Sequence, residues 1–422
     1  MKYYIIAGEA SGDLHGSNLM KGIYAEDPQA DIRFWGGDLM KSVWSAFRND
    51  PSQTSLGPSP CGQGGSTVSE TTPDLTATDS GLVRHYKEGA VMGFVEVIAK
   101  ARKLLGNVSF CKKDILAWNP DVVILIDYPG FNFKIAEFAH KAGFKVFYYI
   151  APKVWASREG RIRKLKAYVD KLFIVFPFEK PYFDAKGISY IYKGNPLVDA
   201  VDNSQAMHET RTQFAQRCAI PDKPFIAMLA GSRKNEISTM MPVLTEFASK
   251  MHNIAQYSDY LFIIAGAPAR TIQDYEPWLT DENRKYIRVM FGQTQSIIRH
   301  AEAAVVNSGT ASLETVLFNT PQVVGYITNP LTYWVAKKIV KIRYISLGNL
   351  IVDKLAFKEF IQQDCNSDAL TAEIRDLIEN DSRRQKMLDE YAEIREALGG
   401  SGASAAVAKA MLDELQTKRH NS

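Results

Sequence analysis

Short apolar runs alternate along the chain with longer amphipathic segments, and this alternation constrains the fold more than any other feature. The apolar runs predict strands over residues 2–7, 31–35, 121–126, 144–150, 171–176, 224–230, 260–265, 287–291, 302–306 and 322–327. Helical periodicity lies between them, for example at 133–142, 235–251 and 310–318. Continuous apolar strands separated by helices are typical of parallel sheets covered on both faces. The sequence therefore predicts an α/β fold.

The alternation is interrupted once, which indicates two domains. It runs to about residue 190 and begins again near 224, with Pro196 and the polar stretch 202–224 as a connection. A length of 422 residues also exceeds one ordinary core. We expect two doubly wound parallel-sheet domains, over 1–200 and 201–365. A purely helical segment, 366–422, follows, and glycines at 399, 400 and 402 separate two of its helices.

One segment does not fit the alternation. Residues 51–81 contain 21 Ser, Thr, Gly or Pro among 31 positions. Such a composition buries too little apolar surface to offset the entropy of ordering the chain. We predict a disordered insertion over 41–81, unusually long for a compact domain. A local frame error and a mobile lid are the alternatives.

Composition excludes several classes of protein. A net charge of +3 does not indicate nucleic-acid binding. The four cysteines are far apart without C-x-x-C spacing, which favours free thiols in a reducing compartment over a zinc site or a redox pair. The N-terminus lacks a signal-peptide layout, and no apolar run approaches the ~18 residues of a membrane span. We expect a cytoplasmic protein whose membrane contact is at most peripheral.

The opening strand leads into Ala7-Gly8-Glu9-Ala10-Ser11-Gly12-Asp13. Small residues let the backbone turn closely under a ligand, and a helix N-terminus there favours an anion or a polar sugar group. The alternative is a tight turn in which Asp13 or Ser11 caps the helix. The loop lacks the G-x-G-x-x-G fingerprint, and its two acidic residues would repel a pyrophosphate, so a dinucleotide is disfavoured.

A second motif, Leu125 to Asn132, places Asp127 at the end of an apolar strand. Sheets of this class bind ligands at the carboxyl ends of their strands. Desolvation there would raise the pKa of the Asp127 carboxyl, which suits a general base near neutral pH. The alternative is an aspartate that caps the next helix, although Tyr128-Pro129-Gly130 stands between Asp127 and the predicted helix.

Two loops in the second half suit a nucleotide. Gly231, Ser232 and Arg233 end the first strand of that half, and a guanidinium binds phosphate oxygens bidentately. Residues 307–314 follow another strand and open a helix, with Ser308, Gly309 and Thr310 suited to a diphosphate and Glu314 to ribose hydroxyls. The alternative for Ser-Gly-Thr is an ordinary helix cap.

Basic residues adjoin bulky apolar ones in two places. One group comprises Phe94, Val97, Ile98, Lys100, Arg102, Lys103, Leu104, Leu105, Lys112 and Lys113, and a second lies over 333–343. A basic helix with such neighbours can lie on an anionic membrane surface. The alternative is a set of solvated helix faces. Trp155 is a further open case, because it would either stack on a sugar or belong to the core.

The motifs, taken in order, are similar to those of the lipid-A-disaccharide synthases. The similarity is carried by AGEASGD (7–13), FWGGDLM (34–40), MGFVEV (92–97), DYPGFN (127–132), APKVWA (151–156), PFEK (177–180), GNPLVDA (194–200), AGSR (230–233), SGTASLE (308–314), VVGY (323–326) and SLGNL (346–350). It covers nearly the whole chain except about 41–81.

The resemblance implies a GT-B fold, with two Rossmann-like halves and C-terminal helices that cross back toward the first domain. It implies an enzyme of lipid A and lipopolysaccharide biosynthesis in Gram-negative bacteria. That enzyme would couple UDP-2,3-diacylglucosamine through a β-1,6 bond to 2,3-diacylglucosamine 1-phosphate (lipid X). The implied products are lipid A disaccharide 1-phosphate and UDP.

The resemblance also implies site residues. Asp127, Arg233, Glu9 and Ser11 match catalytic positions of the family, and Asn349 matches a UDP-contacting asparagine. The expected UDP set also includes Gly231, Ser232, Ser308, Gly309, Thr310, Glu314 and Tyr326, and the expected membrane or acceptor contacts are Phe94, Lys100, Arg102, Lys103, Leu104 and Leu105.

The chain departs from the family pattern at four positions. Ala151 stands for a frequent Ser, Ser157 for Trp, Gly348 for Pro and Asn195 for His. None of these changes removes a proposed catalytic group, but Gly348 would loosen the loop that positions Asn349.

These residues together suggest an inverting displacement in which Asp127 deprotonates the acceptor and Arg233 stabilises departing UDP. No D-x-D motif calls for a metal, and no cofactor is expected. The expected partners are UDP-diacylglucosamine, lipid X and the cytoplasmic face of the inner membrane, without nucleic acid, and a homodimer is left open. The alternatives are another GT-B enzyme on a UDP-GlcNAc-type sugar (an epimerase or a peptidoglycan-type transferase) and a non-catalytic UDP-sugar-binding protein. A dehydrogenase is disfavoured.

Overall fold

The computed structural model describes residues 1–49, 81–86, 96–156, 159–329, 333 and 343–419. By their contacts these residues form two compact units. The first unit holds the described residues up to 200 together with those from 400 onward. The second unit holds the described residues from 201 to 399.

The first unit is built on a sheet whose seven described strands all run parallel. They are β1 (Lys2–Ala7), β2 (Asp31–Gly36), β3 (Leu82–His85), β4 (Val122–Ile126), β5 (Lys145–Tyr149), β6 (Lys171–Ile174) and β7 (Tyr190–Tyr192). Their order across the sheet is β3-β2-β1-β4-β5-β6-β7. All residues of β4 are buried, as expected for a central strand with helices on both faces.

Helices of the first unit connect these strands. They are α1 (Ala10–Glu26), α2 (Asp38–Asn49), α3 (Glu96–Trp118), α4 (Pro129–Lys141), α5 (Ile162–Tyr168), α6 (Glu179–Ala185) and α7 (Pro196–Asp202), the last of which reaches the unit boundary. Strand-to-helix-to-parallel-strand connections of this kind define a doubly wound sheet.

The second unit repeats this plan with six described strands. They are β8 (Phe225–Leu229), β9 (Leu261–Gly266), β10 (Ile287–Phe291), β11 (Ala303–Asn307), β12 (Gln322–Tyr326) and β13 (Glu359–Ile361), in the order β10-β9-β8-β11-β12-β13. Its helices are α8 (Arg211–Arg217), α9 (Lys234–His252), α10 (Thr294–His300), α11 (Thr310–Leu317), α12 (Leu347–Val352), α13 (Ser367–Glu379) and α14 (Asp381–Leu398).

The last helix, α15 (Ala403–Arg419), completes the first unit by packing on α1. The two helices approach closely at Gly22, where a Cβ would lie 2.8 Å from the Cβ of Ala408. The carboxylate of Asp199 accepts a hydrogen bond from the N–H of Ser404 at 2.7 Å and another from that of Gly402, which holds the start of α15. The end of the chain is therefore part of the first core.

The predicted α/β architecture is confirmed, and each predicted strand is present with ends within two residues of those observed. Three strands were not predicted: β3, β7 and β13. Each has three or four residues, lies at the edge of its sheet and is only partly buried. Such segments lack the continuous apolar run that marks a central strand.

Three expectations about segment boundaries need correction. The predicted disordered insertion over 41–81 is wrong at 41–49, which form most of α2; residues 50–80 lie outside the described part of the chain. The helix after Asp127 begins at Pro129, with no Tyr-Pro-Gly spacer. Of the C-terminal helices, α13 and α14 belong to the second unit, and only α15 joins the first.

Candidate active site

Two of the sequence motifs meet at the carboxyl ends of β1 and β4. These strands are neighbours, and Ala7 pairs in register with Ile126. The strand order progresses in opposite directions on the two sides of this pair. Open α/β sheets bind ligands at such a reversal. We refer to residues 7–13 and 127–132 as the β1–β4 edge.

Asp127 is held at this edge in a left-handed backbone conformation, with φ of 43°, and Tyr128 follows with φ of 44°. The carbonyl oxygen of Asp127 accepts hydrogen bonds from Nδ2 of Asn132 at 2.8 Å and from the hydroxyl of Tyr148 at 2.6 Å. Its N–H donates to the carbonyl of Tyr149 at 3.1 Å. Such a conformation costs ~1–3 kcal/mol at a non-glycine residue and persists only where the surroundings impose it. These three bonds therefore determine the direction in which Asp127 leaves the strand.

Asp127 is not the cap of the following helix. The N-cap residue of α4 is Tyr128, which makes no side-chain capping hydrogen bond, and Pro129 occupies the first helical position. Proline is well suited to this position because its missing N–H would have no partner in the helix. The N-cap position of α4 therefore belongs to Tyr128, and the alternative that places Asp127 there is wrong.

The ring of Tyr128 lies on Gly8 and links the two loops of the edge. A Cβ at Gly8 would lie 2.3 Å from ring atom Cδ1, so only glycine fits. Burial raises the pKa of the Tyr128 phenol, and the negative charge of Glu9 raises it further, which puts Glu9 near this ring. Ser11 lies in the first turn of α1. The structure thus brings Glu9, Ser11 and Asp127 to one edge of the sheet.

Asp13 has a structural role that differs from the expected cap of its own helix. Its carboxylate is buried and accepts hydrogen bonds from the N–H groups of Gly37 at 2.7 Å, Leu39 at 3.1 Å and Met40 at 3.1 Å. It therefore caps the N-terminus of α2, the helix that follows β2, and β2 is the strand next to β1. Burial raises the pKa of this carboxyl and outweighs the lowering effect of the three bonds.

The second unit has an equivalent reversal of strand order, between β8 and β11. Here Leu229 pairs with Val306, and residues 230–236 and 307–314, which we call the β8–β11 edge, leave the two strands. Gly231 has φ of 104°, and a Cβ on it would lie 2.3 Å from Nδ2 of Asn307. The glycine therefore allows the first loop to turn directly against β11.

A glutamate that the sequence analysis did not single out shapes this loop. Oε2 of Glu236 accepts hydrogen bonds from the N–H groups of Ser232 at 2.9 Å and Arg233 at 3.1 Å, and Oε1 accepts one from the Arg233 guanidinium at 3.0 Å. The Arg233 side chain remains 67% exposed. Nε of Arg270, also missed, donates to the carbonyl of Ser232 at 3.1 Å. Two guanidinium groups therefore lie at one loop, which suits phosphate oxygens.

The loop of Ser308, Gly309 and Thr310 leads from β11 directly into α11. The N-cap residue is Gly309, so no side chain caps this helix. The hydroxyl of Ser308 instead donates to the carbonyl of Ile345 at 2.9 Å. The first backbone N–H groups of α11 form the kind of helix terminus that binds phosphate.

Glu314 lies one turn further along α11 and is mostly buried. Burial raises the pKa of its carboxyl to about 7, although a hydrogen bond from Gln295 Nε2 opposes the shift. Tyr326 ends β12, the strand next to β11. Both residues therefore belong to the same edge region of the second sheet as Ser308.

The side-chain amide of Asn349 is hydrogen-bonded to the residues around α12. It is fully buried, and its amide oxygen accepts hydrogen bonds from the N–H groups of Ala356 at 2.9 Å and Phe357 at 3.3 Å. Its amide nitrogen donates to the Phe357 carbonyl at 3.0 Å and to Glu359 at 2.8 Å. These bonds give Asn349 a role in holding the surrounding loop, and its contact with UDP stays a prediction.

Glu359, on β13, joins several residues of this loop through hydrogen bonds. Besides Asn349, its carboxylate accepts hydrogen bonds from the N–H groups of Ile345 at 2.9 Å and Ser346 at 3.0 Å, and from the Ser346 hydroxyl. Since the Ile345 carbonyl accepts from Ser308, Glu359 is connected to the phosphate-suited loop. Gly348 is tightly packed, with a hypothetical Cβ 2.8 Å from the Phe357 ring, so it does not loosen the loop.

Comparison with known proteins covers both units of the chain. A family profile described as Lipid-A-disaccharide synthetase matches residues 71–411. The chain belongs to the lipid-A-disaccharide synthase family. The Lipid-A-disaccharide synthase of Syntrophus aciditrophicus is 34% identical over 405 residues, which cover 95% of this chain and 94% of that protein. The enzyme of the same name from Geobacter metallireducens is 32% identical over 415 residues, at coverages of 98% and 97%.

Solved structures support the fold assignment of this family member. The complex of S. aureus MnaA with UDP aligns with a TM-score of 0.64 at 15% identity, over 98% of this chain and 97% of that one. The Methanocaldococcus jannaschii UDP-GlcNAc 2-epimerase in complex with UDP-GlcNAc and UDP aligns with a TM-score of 0.62 at 14% identity, over 98% and 99%. At such identities the likeness concerns the fold alone, which is of the GT-B type.

The expected membrane-contact residues of this lipid-A-disaccharide synthase family member are only partly visible. Phe94 lies outside the described residues, as do the side chains of Lys100, Arg102, Lys103 and Leu104. Leu105 on α3 is 57% exposed, and Leu116 on the same helix is 54% exposed. Among the described residues, no helix combines the length and apolar character needed to cross a membrane.

Three carboxylates and one arginine that shape the two edges were missed from sequence. Glu236 carried a usable signal, because it stands three residues after the N-cap of α9, where capping boxes place Glu. Glu179 belongs to the PFEK motif, although the sequence assigned it no role. Arg270 and Glu359 carried no signal, since their partners lie at positions that only the folded chain brings near.

Proposed function

We propose that this chain is an inverting glycosyltransferase that couples UDP-2,3-diacylglucosamine to 2,3-diacylglucosamine 1-phosphate, with release of UDP and lipid A disaccharide 1-phosphate. The proposal adds the substrates and the stereochemical course to the family membership. The observation that carries it is the fixed placement of Asp127 at the strand-order reversal of the first sheet, which leaves the helix start to Tyr128 and Pro129.

In the proposed reaction, Asp127 accepts the proton of the acceptor's 6-hydroxyl group. The freed oxygen forms a bond to the anomeric carbon of the donor, and the bond from that carbon to the UDP oxygen breaks. A general base positioned in this way contributes ~10²–10⁴-fold. The strained backbone at Asp127 supports the role, because such strain is retained where a group must be held in one direction.

UDP leaves with the bonding electron pair, so its developing negative charge must be stabilised. The groups suited to this lie at the β8–β11 edge: the Arg233 guanidinium and the first N–H groups of α11. Glu314, on the same helix, is the candidate for binding the ribose hydroxyls. Glu9 and Ser11 would support Asp127 on the acceptor side. Asn349 would act through Glu359 and the 345–349 loop rather than by contact with UDP.

The acylated substrates require access to a lipid surface. The exposed leucines of α3, with Lys112 and Lys113 on the same helix, support peripheral contact with the cytoplasmic face of the inner membrane. Removal of the apolar side chains in Leu105→Ser and Leu116→Ser would then lower binding to vesicles that contain anionic lipid. A homodimer is compatible with the proposal and is not needed for it.

Asp127→Asn tests the mechanism. The amide keeps the size of the side chain but cannot accept the proton, so we expect UDP binding to be unchanged and turnover to fall by ~10²–10⁴-fold. Product formation from both acylated substrates is followed by mass spectrometry, and UDP affinity by calorimetry. Turnover close to that of the wild type would remove Asp127 from the role of base.

A parallel assay separates the rival GT-B reactions. UDP release is compared for the acylated donor and for its unacylated counterpart, each with and without lipid X. The proposal requires release that depends on both the acyl chains and the acceptor. Conversion of an unacylated UDP-sugar without an acceptor would indicate an epimerase, and binding without any conversion would indicate a non-catalytic protein.

A further inference from the structure

Trp155 lies at the same edge of the first sheet as Asp127. β4 and β5 are parallel neighbours in which Ile126 pairs with Tyr149, and the N–H of Asp127 donates to the Tyr149 carbonyl at 3.1 Å. Residues 150–156 leave β5 from this point, since the carboxyl ends of parallel strands share one edge. A ligand at Asp127 is therefore adjacent to the loop that carries Trp155.

The indole of Trp155 is fixed in orientation but not fully buried. Its N–H donates to Oε1 of Glu179 at 3.1 Å, and its ring meets that of Phe178 edge-on, with centroids 4.9 Å apart and an interplanar angle of 85°. Part of the side chain remains accessible to solvent. A tryptophan of the core would be fully buried. Trp155 keeps part of its side chain exposed, while the hydrogen bond to Glu179 and the ring contact with Phe178 set its orientation.

Glu179 provides a rigid base for this arrangement. Only 1% of the residue is exposed, and Oε2 accepts hydrogen bonds from the N–H groups of Val175 at 3.2 Å and Phe176 at 3.1 Å. Nδ2 of Asn195 donates to the Val175 carbonyl at 3.0 Å and holds the same turn. A buried carboxylate is costly unless such bonds satisfy it. Because it accepts hydrogen bonds from Val175 and Phe176 and from the indole of Trp155, the Glu179 carboxylate connects the turn after β6 to the loop after β5.

The loop that carries Trp155 also carries a positive charge, on Lys153. Lys153 precedes Trp155 by two residues and is exposed. Burial raises the pKa of the Glu179 carboxyl to about 7, and the positive charge of Lys153 is among the effects that oppose this rise, which puts Lys153 near Glu179. The face of an indole carries partial negative charge and attracts the polarised C–H groups of a pyranose ring. An ammonium group binds phosphate as a point charge. Together the two side chains match a phosphorylated hexopyranose.

We propose that Trp155 and Lys153 form a binding subsite for the sugar ring and phosphate of the acceptor, and that Glu179 is the positioning residue that orients the indole. The inference rests on the proposed function, which supplies an acceptor of this chemistry. It assigns a role to the APKVWA and PFEK motifs, which meet in the Trp155–Glu179 hydrogen bond.

The test compares four variants with two matched controls. Trp155→Ala, Trp155→Phe, Lys153→Gln and Glu179→Gln alter the subsite. Trp118→Ala is the control for Trp155→Ala, because Trp118 is another partly buried tryptophan that ends α3 just before β4, at the opposite edge of the same sheet. Lys141→Gln, at the far end of α4, is the control for Lys153→Gln. Thermal unfolding and UDP affinity verify that each variant is folded.

Steady-state kinetics with each substrate varied gives the decisive values. We expect Trp155→Ala to raise KM for the acceptor by about 10-fold while KM for the donor stays within about twofold, and Trp155→Phe to have a smaller effect in the same direction. Lys153→Gln should raise KM for the phosphorylated acceptor and leave that for its dephosphorylated analogue unchanged. Glu179→Gln should raise KM for both acceptors equally, because it displaces the indole. The controls should leave both KM values unchanged.

Several outcomes would overturn the subsite. An acceptor KM in Trp155→Ala equal to that of Trp118→Ala would leave the indole no binding role, and an equal rise of both substrates' KM values would indicate a purely structural one. If Trp155→Ala does not fold, the acceptor KM values of Trp155→Phe and Lys153→Gln provide the test of the subsite. A wild-type protein that forms no disaccharide would instead refute the proposed function, so the two failures are distinguishable.

Discussion

At the scale of single residues, carboxylates with the same chemistry serve different purposes according to what surrounds them. Asp13 accepts three backbone hydrogen bonds and caps α2, and Glu236 accepts two and shapes the 231–233 loop. Asp127 differs, because here neighbouring side chains hold the backbone. Its carbonyl oxygen accepts hydrogen bonds from Asn132 and Tyr148. A backbone fixed in this way sets the direction in which the Asp127 side chain leaves the strand.

Glu314 leads to a prediction about pH. Burial raises the pKa of its carboxyl to about 7 in the unliganded protein. Ribose hydroxyls that donate to this group would favour its ionised form and lower its pKa in the complex. UDP binding then releases a proton below pH about 7, so UDP affinity should rise as the pH increases toward 7 and level off above it.

Calorimetry in two buffers with different ionisation enthalpies measures this proton release. The terminal phosphate of UDP titrates near pH ~6 by itself, as phosphate monoesters do, so Glu314→Gln provides the baseline. The variant should bind UDP more weakly and show only the phosphate contribution. Identical proton release in the wild type and in Glu314→Gln would contradict the ribose role.

At the scale of elements, a loop that precedes a short edge strand connects positions that are far apart in the sequence. β13 has three partly buried residues, yet its Glu359 collects the N–H groups of Ile345 and Ser346 and the amide of Asn349. The Ile345 carbonyl in turn receives the Ser308 hydroxyl. The residues around α12 are thus connected through hydrogen bonds to the β8–β11 edge, where the proposed UDP-binding groups lie.

Asn349→Ala tests this connection. The change leaves the buried N–H groups of Ala356 and Phe357 without their acceptor, at a cost of ~1–3 kcal/mol. The released 345–349 loop should loosen Ser308, and we expect the Kd for UDP to rise by about 10-fold. Thermal unfolding and UDP titration are measured on the same preparation.

Asn366→Ala is the matched control for Asn349→Ala. Asn366 caps α13 by accepting from the N–H of Ala369 at 2.9 Å, so its loss should cost about 1 kcal/mol of stability. Because this cap is exposed and does not touch the 345–349 loop, UDP affinity should be unchanged. Equal changes of affinity in the two variants would mean that general destabilisation, and not the loop, weakens binding.

At the scale of the whole molecule, the last helix of the chain completes the first unit. α15 packs on α1, and Gly22 permits the close approach of the two helices. A Cβ at Gly22 would lie 2.8 Å from Ala408 Cβ and 3.2 Å from Ala405 Cα. The order of elements along the chain therefore differs from their division into units.

Two glycine-to-alanine variants test this packing. Gly22 and Gly106 both lie inside helices of the first unit, but a Cβ at Gly106 would meet no atom of the described residues within 4 Å. Gly106→Ala should raise the free energy of unfolding by ~0.5–1 kcal/mol, because alanine favours the helix. Gly22→Ala should lower it, because overpacking costs ~1–3 kcal/mol and outweighs that gain.

Chemical denaturation provides the two free energies, and UDP titration provides a second readout. UDP affinity should be unchanged in both variants, since the nucleotide-side groups belong to the second unit. A stabilising effect of Gly22→Ala comparable to that of Gly106→Ala would show that α15 does not constrain α1 in solution.

Sequence by itself determined the α/β class, the central strands and the loops that carry chemistry. A buried strand of a parallel sheet is a continuous apolar run, and a loop at its carboxyl end is local in sequence, so Asp127, Arg233 and Ser308 could be located without coordinates. The family motifs added the expected substrates. These features depend on neighbours a few residues apart along the chain.

Only the tertiary structure decided which partners those residues have. It assigned Asp13 to α2, paired the side-chain amide of Asn349 with the residues around α12, and placed α13 and α14 in the second unit. Edge strands such as β13 were not visible beforehand, because they bury little apolar surface. Hydrogen bonds and packing between residues far apart in sequence leave no periodic pattern, and their energies are realised only when the chain has folded.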